Sequence, residues 1–401
     1  MIGLAIAYLR RRWGQGLLSV LVGALGIAAV LVAFVGFDAL PAAAERSWGG
    51  ADLVVGPKGS ALDLTLCCAL HVSDPRGLVS EKAAMAAVTN PFVRVAAPIA
   101  LGDNVQGWRI VGTTPAFLSI YRADVARGRM WNKPLEAVVG AQAAQAMHLN
   151  IGDTFVGAHG LAEGGEMHSQ FPYRVIGILA PTGTVLDRLV LCDIATVRYI
   201  HKMHAEDEVQ ETGVTATYVN LPDAATAVIA SYRSPVAMML LPRMIDANPA
   251  LSAASPSLEI ARLMGYVRPL TYVAVALGAL LVIIAAVSAA AALMAAMNAR
   301  TKDLALLRAL GAGPLKLAEV AFAEAGLIAV AAILLGCSAG ALTLVVGAQI
   351  LNARTGLVLA PHIDLSLLLE ISISAIVVAL LASAFPAIRA ATTPIEEVLQ
   401  S

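Results

Sequence analysis

Cys67, Cys68 and His71 fall within five residues of one another. Thiolate and imidazole are donors that suit zinc and copper. His201 and His204 are three apart, which puts both on one face of a helix, and Glu206, Asp207 and Glu208 follow. His159 and His168 flank a glycine-rich stretch, residues 157–165. A metal site could be assembled from these groups. The plainer reading of all of them is structural, with the cysteines as small apolar fillers and the histidines needing no ligand. No metal is therefore assigned. An oxidising compartment would also allow Cys192 to pair with Cys67 or Cys68.

Nothing in the pattern points to catalysis. The long polar stretch between residues 38 and 262 holds no Gly-x-Ser-x-Gly elbow and no His-Glu-x-x-His pair. A phosphate-binding loop needs glycines closing on Gly-Lys-Ser/Thr; the nearest string, Gly56 to Ser60, fails that spacing. The chain is read as a non-enzyme that binds no cofactor directly.

The composition says where these groups sit. Of 401 residues, 58% are hydrophobic and 14% charged, and the mean hydropathy is +0.76. Soluble domains run nearer 45–50% apolar and about 25% charged, so the composition disfavours a purely soluble chain and excludes a disordered one. Most of the charge lies in the central stretch, which argues against a pure membrane bundle. A net charge of −1 supplies no bulk field for nucleic acid. A bilayer core takes roughly 20 apolar residues per helix, and four segments qualify: Gly16 to Phe37, Pro269 to Met297, Leu317 to Ile350 and Leu365 to Ile388. Gly16 to Phe37 is longer than the usual apolar run of a cleaved signal, so it is read as a retained helix.

Lys and Arg near the helix ends set the orientation. Arg10, Arg11 and Arg12 precede the first helix, Arg300, Lys302, Arg308 and Lys316 lie between the second and third, and Arg389 follows the fourth. On the other side, the short loop between helices three and four offers only Arg354. Both termini are expected in the cytoplasm and the large domain outside it. The expected layout is an interfacial helix or topogenic flank at 1–15, helix one at 16–37, an outer domain at 38–262, and a stalk with helix two at 263–298. A cytoplasmic loop at 299–314, helix three at 315–350, an outer loop at 351–364, helix four at 365–390 and a cytoplasmic tail at 391–401 complete it. Glu324, about two turns inside helix three, is a costly group in a membrane; it either bonds across helices or snorkels to the inner interface. Gly336, Gly340 and Gly347 permit close helix approach.

In the outer domain, short β-rich runs alternate with turns. Strands are expected at 51–56, 107–112, 137–140, 154–156, 173–179, 189–191 and 215–221, and helices at 141–148, 194–204 and 223–232. No regular βαβ rhythm appears, so the class is α+β.

The one-plus-three helix layout around a large outer domain resembles the MacB-type and FtsX-like permeases of ABC transporters. Asn298 to Ala312, with its Leu307-Arg308-Ala309-Leu310-Gly311 run, is similar to the family's cytoplasmic signature. Trp108 to Gly112, Gly128-Arg129, Val138 to Gly140, Ile151 to Asp153 and Val175 to Leu179 look like its periplasmic core, and Phe385 to Leu399 resembles its end. Leu53 to His71 and Ile178 to Arg188 are similar to an uncharacterised bacterial branch. Where that branch often carries a histidine-rich stretch, this chain has only Ile200 to Glu208, which weighs against reading a metal from the resemblance.

Arg300 to Leu310 carries Leu304, Leu307 and Leu310 on one helical face, with Lys302, Asp303 and Arg308 off it, and Gly311 stops the helix. Such a helix can enter an apolar groove on a partner or rest on lipid headgroups. The resemblance makes it the helix that couples to a separate ATPase. It further implies an inner-membrane permease with two ATPase copies, pairing as a homodimer or with a similar subunit, and ATP used only through that partner. An outer protein partner is also open. Alternative readings within and beyond this class are a lipoprotein- or lipid-extracting permease, an FtsX-like regulator of a cell-wall hydrolase, and a membrane-tethered enzyme.

Overall fold

The computed structural model describes residues 13–160, 167–212, 223–298, 314–355 and 358–392. In chain order the elements begin with α1 (Trp13–Trp48), β1 (Leu53–Pro57), α2 (Ala61–Leu64, continued by a π-turn Thr65–Ala69), β2 (Val79–Ser80) and α3 (Glu81–Val88). Then come β3 (Val93–Val105), β4 (Trp108–Thr113), α4 (Ala116–Tyr121), β5 (Val125–Gly128), β6 (Glu136–Val139) and α5 (Ala141–Ala146). β7 (Thr154–Phe155), β8 (Ala158–His159), β9 (Tyr173–Leu179), β10 (Val190–Asp193) and α6 (Ile194–Thr212) follow. The rest is β11 (Ala224–Ala225), β12 (Ala227–Tyr232), α7 (Val236–Asp246), β13 (Leu251–Ala254), α8 (Pro256–Asn298), α9 (Pro314–Thr355) and α10 (Leu365–Thr392). The chain divides into two units, one of residues 1–40, 265–351 and 359–401, the other of residues 41–264 and 352–358.

The first unit is helical. α1, α8, α9 and α10 are each long and apolar enough to cross a membrane. α1 is the most enclosed: half of its apolar window is buried, against 6% in α10. Ile27 and Leu31 on α1 are sealed. Backbone contact explains the close fit. A Cβ on Gly26 would stand 2.6 Å from the carbonyl oxygen of Gly278, and one on Gly336 2.7 Å from that of Ala24. Only residues without a side chain let α8 and α9 approach α1 this closely. The apolar side chains turned outward, such as Leu277, Leu334 and Leu381, suit a hydrocarbon solvent rather than water.

The second unit is built on one mixed sheet of order β13-β1-β12-β3-β4-β10-β6-β9-β5, with β7 on β9 and β8 on β3. β4 with β10 and β6 with β9 are parallel; the remaining pairs are antiparallel. Period-two alternation sorts the central strands between two cores. Val111, Val138 and Leu191 join Phe117 and Leu186 on one side. Ile110, Val139 and Cys192 join Val197 and Ile200 of α6 on the other. This one-plus-three arrangement around an α+β domain is the class expected from the sequence.

Several local expectations change. Residues 223–232 form β11 and β12, not a helix. The alanines there favour a helix locally, but β12 lies between β1 and β3 and is buried along both faces, so sheet pairing wins. β3, unread in the sequence, is the longest strand at 13 residues; Pro98, Gly102, Asp103 and Asn104 hide its pattern. The helix expected at 194–204 continues to Thr212. The stretch expected as stalk and helix two, 263–298, lies within one helix, α8, which begins at Pro256 and ends at Asn298. The strand expected at 215–221, the stretch 1–12 and the tail 393–401 lie outside the described residues.

Candidate functional site

The sheet register builds the site. β3 pairs Leu101 with Val111 and Asp103 with Ile110, so Gly102 is an extra residue in a β-bulge. The bulge aims Asp103 toward the core under α6, the side that Ile110 occupies. The Asp103 side chain is wholly buried. Three imidazoles surround its Oδ1: Nε2 of His201 at 3.1 Å, Nε2 of His168 at 3.3 Å and Nδ1 of His159 at 3.6 Å. Its Oδ2 is also buried and has no hydrogen-bond partner among the described residues. Burial pushes the Asp103 carboxyl up, but hydrogen bonds from His159, His168 and His201 and the charge of His201 outweigh it, holding the group well below the usual carboxylate range.

Each histidine is placed by a different element. His159 ends β8 and sits directly opposite Asp103 across the β3–β8 ladder. Asn104 secures that segment, its Nδ2 donating to the carbonyl oxygens of Ala158 and Gly160. His168 returns from residues 161–166, which lie outside the described residues, and its N–H donates to the carbonyl of Gly157. His201 projects from α6 over Gly102, where any Cβ would stand 2.1 Å from its Cε1. His201 and His168 are buried, whereas the His159 side chain is 51% exposed. His159 and His201 line a cleft of about 480 Å³ together with Gly102, Leu101, Asp74 and Pro75. The donor atoms of Asp103, His159 and His201 all lie within 4.8 Å of one another.

The groups singled out in the sequence separate. His201 joins this cluster with His159 and His168; the side chain of His204 lies outside the described residues. Cys67 and Cys68 sit in the π-turn after α2 and belong to the opposite core. There Arg109, 4% exposed, pairs with Asp74 at 3.1 Å and points Nη1 at the Cys67 sulfur. A hydrogen bond from Cys68 draws the Cys67 thiol down against the effect of burial, with Arg109 assisting. The same bond and complete burial push Cys68 up. Burial, then the Arg109 charge, pull His71 down to about 3, and neither of its buried ring nitrogens has a partner among the described residues. Cys192 is free, as are Cys67, Cys68 and Cys337. The pairing of Cys192 with Cys67 or Cys68 is therefore corrected: the pleat turns Cys192 to the core under α6 and leaves the other two on the far face. Asp103 was missed because an acid inside an apolar run reads as a turn; Gly102-Asp103-Asn104 closing the apolar stretch 95–101 was the available signal.

In the helical unit Glu324 is buried on α9. Gly336 to Gly340 spells Gly-x-Ser-x-Gly, but it lies inside α9, where the Ser338 hydroxyl donates to the carbonyl of Leu334 at 2.7 Å. A nucleophile elbow needs a strand-to-helix turn, so this string is packing. Arg300, Lys302, Asp303, Leu304, Leu307, Arg308, Leu310 and Gly311 lie outside the described residues.

Comparison with known proteins gives the frame for these sites. The profile of the MacB-like periplasmic core domain matches residues 17–232, and that of the FtsX-like permease C-terminal region matches residues 275–395. No curated protein matches the chain. The periplasmic region of MacB from Actinobacillus actinomycetemcomitans is similar at 10% identity and a TM-score of 0.33, covering 54% of this chain and 94% of that one. The extracellular domain of the noncanonic ABC-type transporter YknZ from Gram-positive bacteria is similar at 10% identity and a TM-score of 0.29, covering 51% and 99%. Since the first profile spans more than half of the sequence and the second takes in the last three membrane helices, the chain belongs to the family of MacB-like, FtsX-like ABC transporter permeases.

Proposed function

We propose that this permease subunit transmits motion from a separate cytoplasmic ATPase to its outer domain, acting on a periplasmic or membrane-embedded substrate without a continuous pore. The observation that carries the reading is the continuity of α1 and α8. α1 has 36 residues and α8 has 43; at 1.5 Å per residue they are about 54 and 65 Å long, against a hydrocarbon core of about 30 Å. Each is a hydrogen-bonded rod long enough to carry displacement beyond the bilayer. Each also holds one interior proline, Pro41 in α1 and Pro269 in α8, where a missing backbone bond allows bending.

In this reading both termini and residues 299–314 are cytoplasmic, and Leu304, Leu307 and Leu310 enter an apolar groove on the ATPase. Two such subunits pair, each with one ATPase copy. ATP is bound and hydrolysed in the partner, and the permease itself performs no chemistry. The family's membership among non-catalytic membrane subunits supports this.

The test is co-purification of the tagged full chain from its native membrane, with every retained chain identified. An ATPase is expected. Leu307→Asp should lower its retention at least tenfold, about 1.4 kcal/mol, while thermal unfolding of the outer domain is unchanged. Wild-type retention by that variant would overturn the docking assignment.

A further inference from the structure

We propose that Asp103, His159 and His201 bind a divalent first-row transition metal ion of the zinc class beside the cleft. The donor spacing is the first ground. A tetrahedral ion with nitrogen and oxygen ligands at about 2.0–2.2 Å sets its donors roughly 3.3–3.5 Å apart. Asp103 Oδ1 lies 3.1 Å from His201 Nε2 and 3.6 Å from His159 Nδ1. Both distances are close to that spacing, and the donor atoms of all three residues lie within 4.8 Å of one another.

The second ground is the carboxylate itself. Oδ1 is crowded by three rings while its twin Oδ2 is buried and unpartnered. Hydrogen bonding alone favours sharing between both oxygens, and a bare buried acceptor is costly. A cation bound at Oδ1 supplies the positive charge that a buried carboxylate needs. Two imidazoles and a carboxylate, with no thiolate, suit zinc, cobalt or nickel rather than copper(I). His168, bonded to the same oxygen at 3.3 Å, orients the carboxylate in the way outer-shell partners do.

The third ground is preorganisation. The donors come from β3, β8 and α6, and each is fixed by a separate device: the bulge at Gly102, the Asn104 bonds to residues 158 and 160, and the glycine floor beneath His201. The exposed His159 gives the ion a route from solvent. Among the described residues three protein ligands converge, and the cleft beside His159 and His201 leaves room for a water or a donor from a bound molecule. The site stands on the outer domain alone and holds whether or not residues 299–314 dock an ATPase.

The experiment uses the full chain in detergent, purified without a histidine tag, stripped by chelator and titrated with Zn²⁺ or Co²⁺ alone. About one equivalent per chain should remain after gel filtration, and Co²⁺ should show the intense visible bands of a tetrahedral site. His159→Ala should weaken binding at least tenfold with little effect on folding, because that ring is half exposed. His201→Ala and Asp103→Asn should abolish the bands, and His168→Asn should weaken binding by about 10–100-fold. Retention of well under one equivalent by the wild type, or wild-type binding by His159→Ala, would overturn the assignment even if Asp103→Asn fails to fold.

Discussion

Replacing Gly102 by alanine would place a Cβ 2.1 Å from Cε1 and 2.7 Å from Nε2 of His201, where ordinary contact begins at 3.4 Å. The imidazole must retreat by about 1.3 Å or the bulge must move. Either shift takes the 3.1 Å bond between His201 and Asp103 out of range. Losing a hydrogen bond to a charged buried group costs about 1.5–3 kcal/mol. The forced repacking adds about 1–3 kcal/mol, so the total is about 2.5–6 kcal/mol. For a domain of this size each kcal/mol lowers the melting temperature by about 2–4 °C, giving a fall of about 5–24 °C by tryptophan fluorescence or scanning calorimetry of the full chain. A double-mutant cycle isolates the cause: in a His201→Ala background the same glycine substitution should cost far less, since the ring it strikes is gone. An unchanged melting temperature, or an equal loss in both backgrounds, would refute the steric reasoning.

Other consequences follow from the same structure. His71 is held neutral, its pKa lowered to about 3 from an ordinary 6.5. The unfolded chain therefore binds the extra proton between about pH 6.5 and 3, and this stability is complete above that window and lost as pH falls through it, by about 1.4 kcal/mol per unit. His71→Asn, which accepts the left-handed backbone there (φ 55°), should flatten the acid limb of denaturant-measured stability; superimposable pH profiles would contradict this. Gly278→Ala would bring a Cβ to 2.8 Å from the Gly26 carbonyl oxygen, whereas a Cβ at Gly347 meets nothing within 4 Å. The first should cost about 1–3 kcal/mol in detergent unfolding and the second almost nothing; equal losses would show that the glycine contacts do not hold the bundle.

The architecture was legible because its physical signals are strong. Four long apolar runs need no tertiary context to be seen, and Tyr173 to Leu179 alternates cleanly enough to be read as β9. The membrane helices extend further than the apolar cores because polar turns at Trp13, Trp48 and Pro256 add residues that hydropathy does not count. Strand β12 was misread because its alanines carry a helical preference that only burial between β1 and β3 reverses. The metal-type cluster was half visible. His159, His168 and His201 attract attention by residue type, but they are joined by Asp103, distant in sequence from all three, and only the sheet register places it opposite His159. Cys67, Cys68 and His71 looked the better ligands by proximity, and the pleat puts them with Arg109 in the other core.

The central claim is that this subunit takes force inside the cell and delivers it outside. Labelling in spheroplasts with a membrane-impermeant maleimide tests it most directly, using single cysteines at the exposed outer-domain residue Lys82 and at Leu307, with the four native cysteines replaced by alanine. The account predicts that Lys82→Cys labels at once and Leu307→Cys only after the membrane is lysed. Labelling of Leu307→Cys from outside in intact spheroplasts would contradict it.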